Sequence, residues 1–249
     1  MRSNDLPSIV YLAKSLLRAN LRNYKALAVM MGVPLLTLAS FWLPSLAAGP
    51  DEPDIMSYMF PMIVLLSVVI AALTHATRLA RWREQDVFRR LVLTPVPLPS
   101  MVRGASLVQM LMGLLQGLVM LVFGLFVLQL PLNWIGCLIA LGVMILAAAT
   151  FIAMGSFIAA LANRAEVAGY VFMFTLLPLI FLGSFPSDMM PAVMNSITPW
   201  LPTSMAIELI GELFYAGHLP ENAIFHLSGL IGYLLLFTVL SAWRLRWKG

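Results

Sequence analysis

Residues 58–77 read Tyr-Met-Phe-Pro-Met-Ile-Val-Leu-Leu-Ser-Val-Val-Ile-Ala-Ala-Leu-Thr-His-Ala-Thr and contain no charged side chain. A bilayer core of roughly 30 Å needs about 20 helical residues at 1.5 Å each. Backbone groups in lipid must be hydrogen-bonded, and the stretch lacks the alternation with a period of two that marks a strand of a membrane barrel. Residues 58–77 therefore predict a membrane-spanning helix.

The same reasoning applies to five further apolar stretches, residues 25–48, 104–128, 134–162, 167–184 and 222–243. Overall, 61% of the 249 residues are hydrophobic and only 10% are charged, whereas soluble domains carry about 25% charged residues. The composition predicts an all-α integral membrane protein, with six spans forming one transmembrane domain over residues 1–249. The lone Cys137 lies in an apolar run and is expected to pack as a small residue.

Charged residues are sorted between the two sides of these spans. All fifteen lysines and arginines lie in the N-terminal stretch up to Lys25, in the 78–103 loop, at Arg164, or after residue 243. The other gaps carry carboxylates only, at Asp51, Glu52, Asp54, Asp188, Glu208, Glu212 and Glu221. Because basic loops stay in the cytoplasm, the pattern predicts a multi-pass protein of the inner (cytoplasmic) membrane with both termini cytoplasmic. The net charge of +4 thus reflects topology, and no nucleic-acid partner is expected.

Residues 6–24 precede the first span and predict an amphipathic helix. Apolar residues recur there at spacings of three and four, while Lys14, Arg18 and Arg22 form a basic stripe. Such a helix lies in the headgroup layer with its cations facing anionic lipid. The alternative is a basic flank without fixed docking. Six charged residues precede Ala26, so a secretory signal peptide is not expected.

The 78–103 loop contains a second amphipathic pattern. Read as a helix, its residues include an apolar strip at spacings of three and four within the set Glu84, Val87, Phe88, Leu91 and Val92. Thr94-Pro95 ends the helix because the residue before proline avoids the α region. The charged side chains of Arg83, Asp86, Arg89 and Arg90 remain available to water or to a partner. A short helix closed by a rigid turn suits a lever that a cytoplasmic motor moves. The alternative is a plain basic loop.

Residues 185–221 lie on the acidic side and are too apolar for a free loop. Pro186, Pro191, Pro199 and Pro202 divide the segment into short elements, and residues 204–215 have helical periodicity. Irregular backbone at membrane depth persists only where it is buried in protein or lines a cavity. We therefore expect a re-entrant helical hairpin that enters the outer leaflet and covers an exit route.

The order of these parts resembles the ATP-binding-cassette (ABC) type-2 permease family. Two stretches carry the resemblance: Arg83-Glu84 through Leu91 to Thr94-Pro95-Val96, and Leu177-Pro178 through Phe185-Pro186, Met190-Pro191 and Pro199-Trp200-Leu201-Pro202. The chain departs from the family where Asp86, Val87 and Arg89 stand in place of a glycine, a small residue and a glutamate.

The resemblance implies a division of labour. The chain has no Gly-x-x-x-x-Gly-Lys-Ser/Thr phosphate cradle, so a separate ABC ATPase subunit, in two copies, would bind ATP and Mg. The chain itself is expected to be neither an enzyme nor the holder of a cofactor or metal. It would pair with a second permease chain, identical or related, and export a drug, lipid or glycan. The coupling residues implied by the resemblance are Glu84, Asp86, Val87, Phe88, Arg89, Arg90, Leu91, Thr94 and Pro95.

Soft apolar side chains could line the route of such a substrate at the seam between two permeases. The candidates are Met56, Met59, Phe60, Phe172, Met173 and Phe174. Lipid contact and core packing are the alternatives for all six.

Three other functions remain open. A membrane-embedded protease needs a buried Ser/His pair, paired aspartates or a His-Glu-x-x-His motif; the motif is absent, and no histidine is expected at the depth of Ser156. A self-powered carrier generally needs buried carboxylates, and no span has one. A non-transporting assembly protein is the remaining alternative.

Overall fold

The computed structural model describes residues 5–46, 55–87, 98–185 and 191–246, and within these ranges every regular element is helical. The elements are α1 (Asp5–Arg22), α2 (Tyr24–Ser45), α3 (Ile55–Glu84), α4 (Leu98–Phe126), α5 (Trp134–Leu161), α6 (Ala165–Leu182), α7 (Ala192–Ile197), a 3-10 helix (Thr198–Trp200), α8 (Pro202–Tyr215) and α9 (Ala223–Arg246).

Five of these helices are long and apolar enough to cross a membrane. They comprise Ile55–Glu84, Ser100–Phe126, Trp134–Leu161, Ala165–Leu182 and Ala223–Arg244. Helix α2 has 22 residues, and within its described residues the stretch Met30–Ser45 is a shorter apolar helix. The predicted all-α class is therefore confirmed for the described residues, and the first of the six predicted spans remains a prediction.

Helix α3 occupies the centre of the bundle. It packs against α2, α4, α5, α6 and α8, and every side chain from residue 60 to residue 72 is buried. A helix that is hydrophobic on all sides is satisfied only when other helices surround it. By contrast, α6 and α9 leave large apolar side chains exposed, as at Phe174 and Val239, which suits contact with lipid or with another membrane helix.

Hydroxyl side chains in the apolar helices are satisfied locally. Ser67 donates to the Ile63 carbonyl at 3.2 Å, and Thr74 donates to the Ile70 carbonyl at 3.0 Å. Such bonds to the preceding turn allow serine and threonine inside a membrane helix. Gln109 and Gln116 on α4 differ, because both are buried and their amides make no hydrogen bond within the described residues.

The structure extends the helices on both sides of the expected 78–103 loop. Helix α3 continues through Glu84, because no proline or glycine interrupts residues 78–84. Helix α4 begins at Leu98, six residues before the start of the predicted third span at residue 104. In the segment expected to be re-entrant, Pro191 caps α7, Pro199 lies in the 3-10 helix and Pro202 begins α8. Pro186, and residues 88–97 with the predicted helix end at Thr94-Pro95, lie outside the described residues.

The start of α5 is joined to the end of α8. The Asn133 side chain caps α5 by accepting from the Gly136 amide at 3.0 Å, and the Asn133 amide donates to the Phe214 carbonyl at 2.7 Å. Gly136 allows this approach, because a Cβ there would overlap the Leu213 carbonyl oxygen. The position therefore requires the absence of a side chain.

Replacing Gly136 with alanine should separate α5 from α8 at this junction. Gly142→Ala is the matched control on the same helix, because nothing lies within 4 Å of a Cβ built there. Overpacking costs about 1–3 kcal/mol, so Gly136→Ala should lower the apparent melting temperature in detergent, measured by size-exclusion chromatography after heating. Equal melting temperatures for the two variants would contradict the close contact.

Candidate functional site

The bundle has two chemically different ends. The basic end is formed by the last turns of α3 and α5 and the first turns of α4 and α6, and it carries Arg78, Arg81, Arg83, Arg103 and Arg164. The acidic end is formed by the first turns of α3, α5 and α9, the last turn of α6, and α8 with Glu208 and Glu212. The predicted coupling residues adjoin the basic end, and the predicted re-entrant segment belongs to the acidic end.

At the basic end, Arg83 closes the C-terminus of α5. Its Nη1 donates to the Ala159 carbonyl at 2.6 Å and to the Ala162 carbonyl at 3.1 Å. The last carbonyls of a helix have no partner within the helix, and the negative end of the helix dipole attracts a cation. The Arg83 guanidinium therefore supplies a donor and a positive charge to the end of α5, and the expectation that it stays available to water or to a partner is wrong.

The next residue, Glu84, serves the start of α6. Arg164 occupies the N-cap of α6 but makes no capping bond with its side chain, and the Glu84 Oε2 instead accepts from the Ala165 amide at 3.1 Å. A carboxylate at a helix N-terminus satisfies a free N–H and complements the positive end of the dipole. Two consecutive residues of α3 thus cap the end of α5 and the start of α6.

Helix α3 ends directly after this pair. Asp86 has φ +52°, a left-handed conformation that often terminates a helix and is accessible to aspartate. Asp86 is exposed and Val87 is half-buried. Phe88, Arg89, Arg90, Leu91, Thr94 and Pro95 lie outside the described residues, so their assignment to coupling stays a prediction.

A buried polar cluster joins α3, α4 and α5 deeper in the bundle. The His75 Nε2 lies 3.0 Å from the Ser156 Oγ and 3.3 Å from the Ser106 Oγ. The expectation that Ser156 has no histidine at its depth is therefore wrong. Spacing along the chain could not reveal the pair, because 81 residues separate its members.

This pair is buried, which does not suit a catalytic nucleophile and its base. The Ser156 hydroxyl lies 2.9 Å from the Ile152 carbonyl as well as 3.0 Å from the His75 ring, so the carbonyl competes with the ring for its proton. A catalytic serine needs a base that accepts its proton and a route for substrate. The cluster is better explained as a polar contact that holds three helices together.

The N-terminal helix is attached to the same end. Arg78 Nη2 donates to the Asn20 Oδ1 at 2.8 Å, and α1 packs against α4. Lys14, Arg18 and Arg22 are all exposed. One side of α1 therefore contacts the bundle while its basic stripe remains available to a charged surface.

The six candidates for a translocation route do not share a surface. Met56, Phe60 and Phe172 are in the core, and Met59 is half-buried. Only Met173 and Phe174 are exposed, at 43% and 80%. Core packing therefore explains the buried members, and a role in lining a route stays a prediction for the exposed pair.

The acidic end encloses a half-open cavity of about 500 Å³ between α3, α6, α8 and the segment that contains α7 and the 3-10 helix. Thr203 attaches α8 to α6 by donating to the Leu179 carbonyl at 2.9 Å. Tyr233 on α9 fixes the 3-10 helix by donating to the Trp200 carbonyl at 2.9 Å. Sequence reasoning expected a covered exit here but missed the cavity, although the i,i+4 spacing of Glu208 and Glu212 indicated a shared face.

A bundle of long apolar helices with one basic and one acidic end defines a multi-pass membrane protein. The family model described as ABC-2 type transporter matches residues 7–215, from α1 through α8. The chain belongs to this family, so the resemblance inferred from the sequence is confirmed. It is also 29% identical over 116 residues to nodulation protein J of Rhizobium leguminosarum bv. trifolii; the match covers 46% of this chain and 44% of that protein.

Removing the Arg83 side chain should loosen the basic end. Arg83→Ala leaves the Ala159 and Ala162 carbonyls without this donor, while Arg81→Ala removes an exposed cation from the same turn. Loss of charged hydrogen bonds of this kind costs about 1.5–3 kcal/mol. Arg83→Ala should therefore unfold at lower temperature than Arg81→Ala in the same detergent. A larger loss in Arg81→Ala would refute the capping role.

Proposed function

We propose that the chain is the permease subunit of an ABC exporter that uses ATP hydrolysed by a separate cytoplasmic ATPase. The observation that carries the proposal is the double cap at the end of α3, where Arg83 and Glu84 bind the end of α5 and the start of α6. Membership of the ABC-2 type transporter family supplies the context. The chain has no P-loop sequence of its own.

The double cap gives a mechanical reason for the proposed coupling. Residues 88–97 follow α3 almost directly, so a displacement of this segment by an ATPase would pull on the turn that contains Arg83 and Glu84. Because this turn is bonded to two other helices, α3, α5 and α6 would move together. The polar contact of His75 with Ser156 and Ser106 extends this connection to α4.

The proposed arrangement in the membrane has six spans, with α2 as the first. The basic end faces the cytoplasm, in agreement with the distribution of lysine and arginine. Helices α7 and α8 form the re-entrant segment on the opposite side. Helix α1 lies in the inner headgroup layer, where its exposed Lys14, Arg18 and Arg22 would face anionic lipid.

The proposed complex contains two ATPase copies, which bind ATP and Mg, and two permease chains, identical or related. Its substrate is hydrophobic or amphipathic, a drug, lipid or glycan, and moves outward. A non-transporting assembly protein or a membrane-embedded enzyme is the alternative. The assembly protein would bind no ATPase, and the enzyme is disfavoured by the burial of Ser156.

Isolation of the tagged chain from its native membranes tests the partner. We expect a P-loop ATPase to copurify and to hydrolyse ATP. Phe88→Asp and Leu91→Asp place a charge on the proposed apolar strip and should reduce the copurified ATPase at least tenfold, with unchanged membrane insertion. Gln85→Asp adds the same charge at an exposed position beside the strip and should retain the ATPase.

Two outcomes would count against this assignment. If no ATPase accompanies the wild-type chain after mild cross-linking, the separate motor is wrong. If Phe88→Asp and Leu91→Asp both retain it at the wild-type ratio, the coupling segment lies elsewhere.

Cysteine labelling tests the orientation independently. In a Cys137→Ser background, Gln85→Cys places a thiol at the basic end and Glu221→Cys places one at the acidic end; both positions are exposed. A membrane-impermeant maleimide applied to spheroplasts should label Glu221→Cys at once and Gln85→Cys only after permeabilisation. The reverse order of labelling would invert the proposed topology.

A further inference from the structure

The cavity at the acidic end has the size and wall chemistry of a ligand site. Its volume of about 500 Å³ lies within the range of roughly 300–1,000 Å³ typical of small-molecule pockets. One wall is the start of α3, with Ser57 and Tyr58; the facing wall is α8; and Asn195 and Thr198 belong to the segment between α6 and α8. Elements distant in sequence thus converge on one space.

A single stripe of α8 supplies the ionisable groups of this cavity. Ser204, Glu208 and Glu212 recur at intervals of four residues, which places them on one face of the helix, and all three line the cavity. Glu208 has a neighbour in His226, whose Nε2 lies 3.6 Å from the Glu208 Oε2. Among the described residues Glu212 makes no ion pair, and no lysine or arginine lines the cavity.

Ser204 adds an independent sign of an absent ligand. Only 6% of its surface is exposed, and its hydroxyl has no hydrogen-bond partner within the described residues. Buried hydroxyls are normally bonded, because an unpaired one costs about 1–3 kcal/mol. The oxygen lies beside Gly183 and is not itself accessible from the cavity, but Ser204 lines the cavity on the same stripe as Glu208 and Glu212, so a rotation about χ1 would bring the hydroxyl to a ligand there.

These groups select the charge and the type of ligand. Two carboxylates one turn apart, without a lysine or arginine lining the cavity beside them, attract a cation and accept its hydrogen bonds. The described residues contain no group of three or more histidine, cysteine or acidic side chains able to hold a metal ion. Tyr58 in the opposite wall is an aromatic side chain, the type that ammonium groups contact in cation–π interactions.

We propose that this cavity binds an organic cation, whose ammonium group lies between Glu208 and Glu212. The ammonium group can belong to a soluble amine or to the headgroup of a lipid, since the cavity is half-open at the end of the bundle. The inference is independent of the proposed coupling to an ATPase, because it concerns binding by the chain alone.

Binding of radiolabelled choline to the full chain in lipid nanodiscs tests the proposal. In discs of phosphatidylglycerol alone, we expect one saturable site per chain. The Glu208→Gln/Glu212→Gln double variant should bind at least tenfold more weakly, whereas Glu221→Gln, which removes a charge outside the cavity at the same end, should bind as the wild type does. Because choline also collects at anionic lipid, the double variant defines the background.

Competition on the wild-type protein avoids any effect of substitution on folding. Tetramethylammonium should displace the choline, and the uncharged isostere 3,3-dimethyl-1-butanol should not. Discs that contain equal parts phosphatidylglycerol and phosphatidylcholine distinguish the two sources of the cation. Retained choline binding there identifies a soluble amine as the ligand, and lost binding identifies a competing lipid headgroup.

Three results would overturn the site: no saturable binding in phosphatidylglycerol discs, wild-type binding by the double variant, or displacement by the uncharged isostere. None of these results depends on whether an ATPase copurifies with the chain. Failure of the cation site is therefore distinguishable from failure of the proposed exporter function.

Discussion

The burial of α3 is the constraint on which the rest of the bundle depends. Its side chains from residue 60 to residue 72 are enclosed on all sides, so each neighbouring helix is placed by its contact with this one. A helix in lipid satisfies its own backbone except at its two ends. Apart from the contact of His75 with Ser106 and Ser156 inside the bundle, α3 bonds to other long apolar helices through Arg83 and Glu84 at its C-terminal end, and both ends of α3 lie at the chemically distinctive parts of the molecule.

At the basic end, the last turn of α3 is bonded to two other helices. Arg83 and Glu84 are opposite in charge and adjacent in sequence, and they meet the opposite ends of two helix dipoles, the C-terminus of α5 and the N-terminus of α6. The arrangement requires α5 and α6 to run antiparallel and to be joined by a short connection at residues 162–164. A charge reversal at either residue would therefore oppose both the hydrogen bond and the dipole.

Single-sequence reasoning recovered what depends on hydropathy and charge sorting. The long apolar helices, the amphipathic α1 and the family all follow from residue patterns such as the uncharged stretch 58–77. It did not recover contacts that form between distant helices. The partner of Ser156 is His75, and the partner of Ala165 is Glu84, each 81 positions away. Neither spacing nor local propensity carries information about such pairs, because they depend on how the helices pack.

The same charge sorting that predicts orientation also determines the chemistry of the acidic end. A segment without lysine or arginine from residue 185 to residue 221 cannot neutralise Glu208 and Glu212 with its own cations. Histidine is the remaining basic group, and His226 lies near Glu208 only. In a medium of lower dielectric than water, carboxylates without partners are costly unless solvent or a ligand compensates them. Charge sorting across the membrane therefore leaves an anionic cavity at this end, and this anionic character would oppose the entry of a negatively charged group and favour that of a cation.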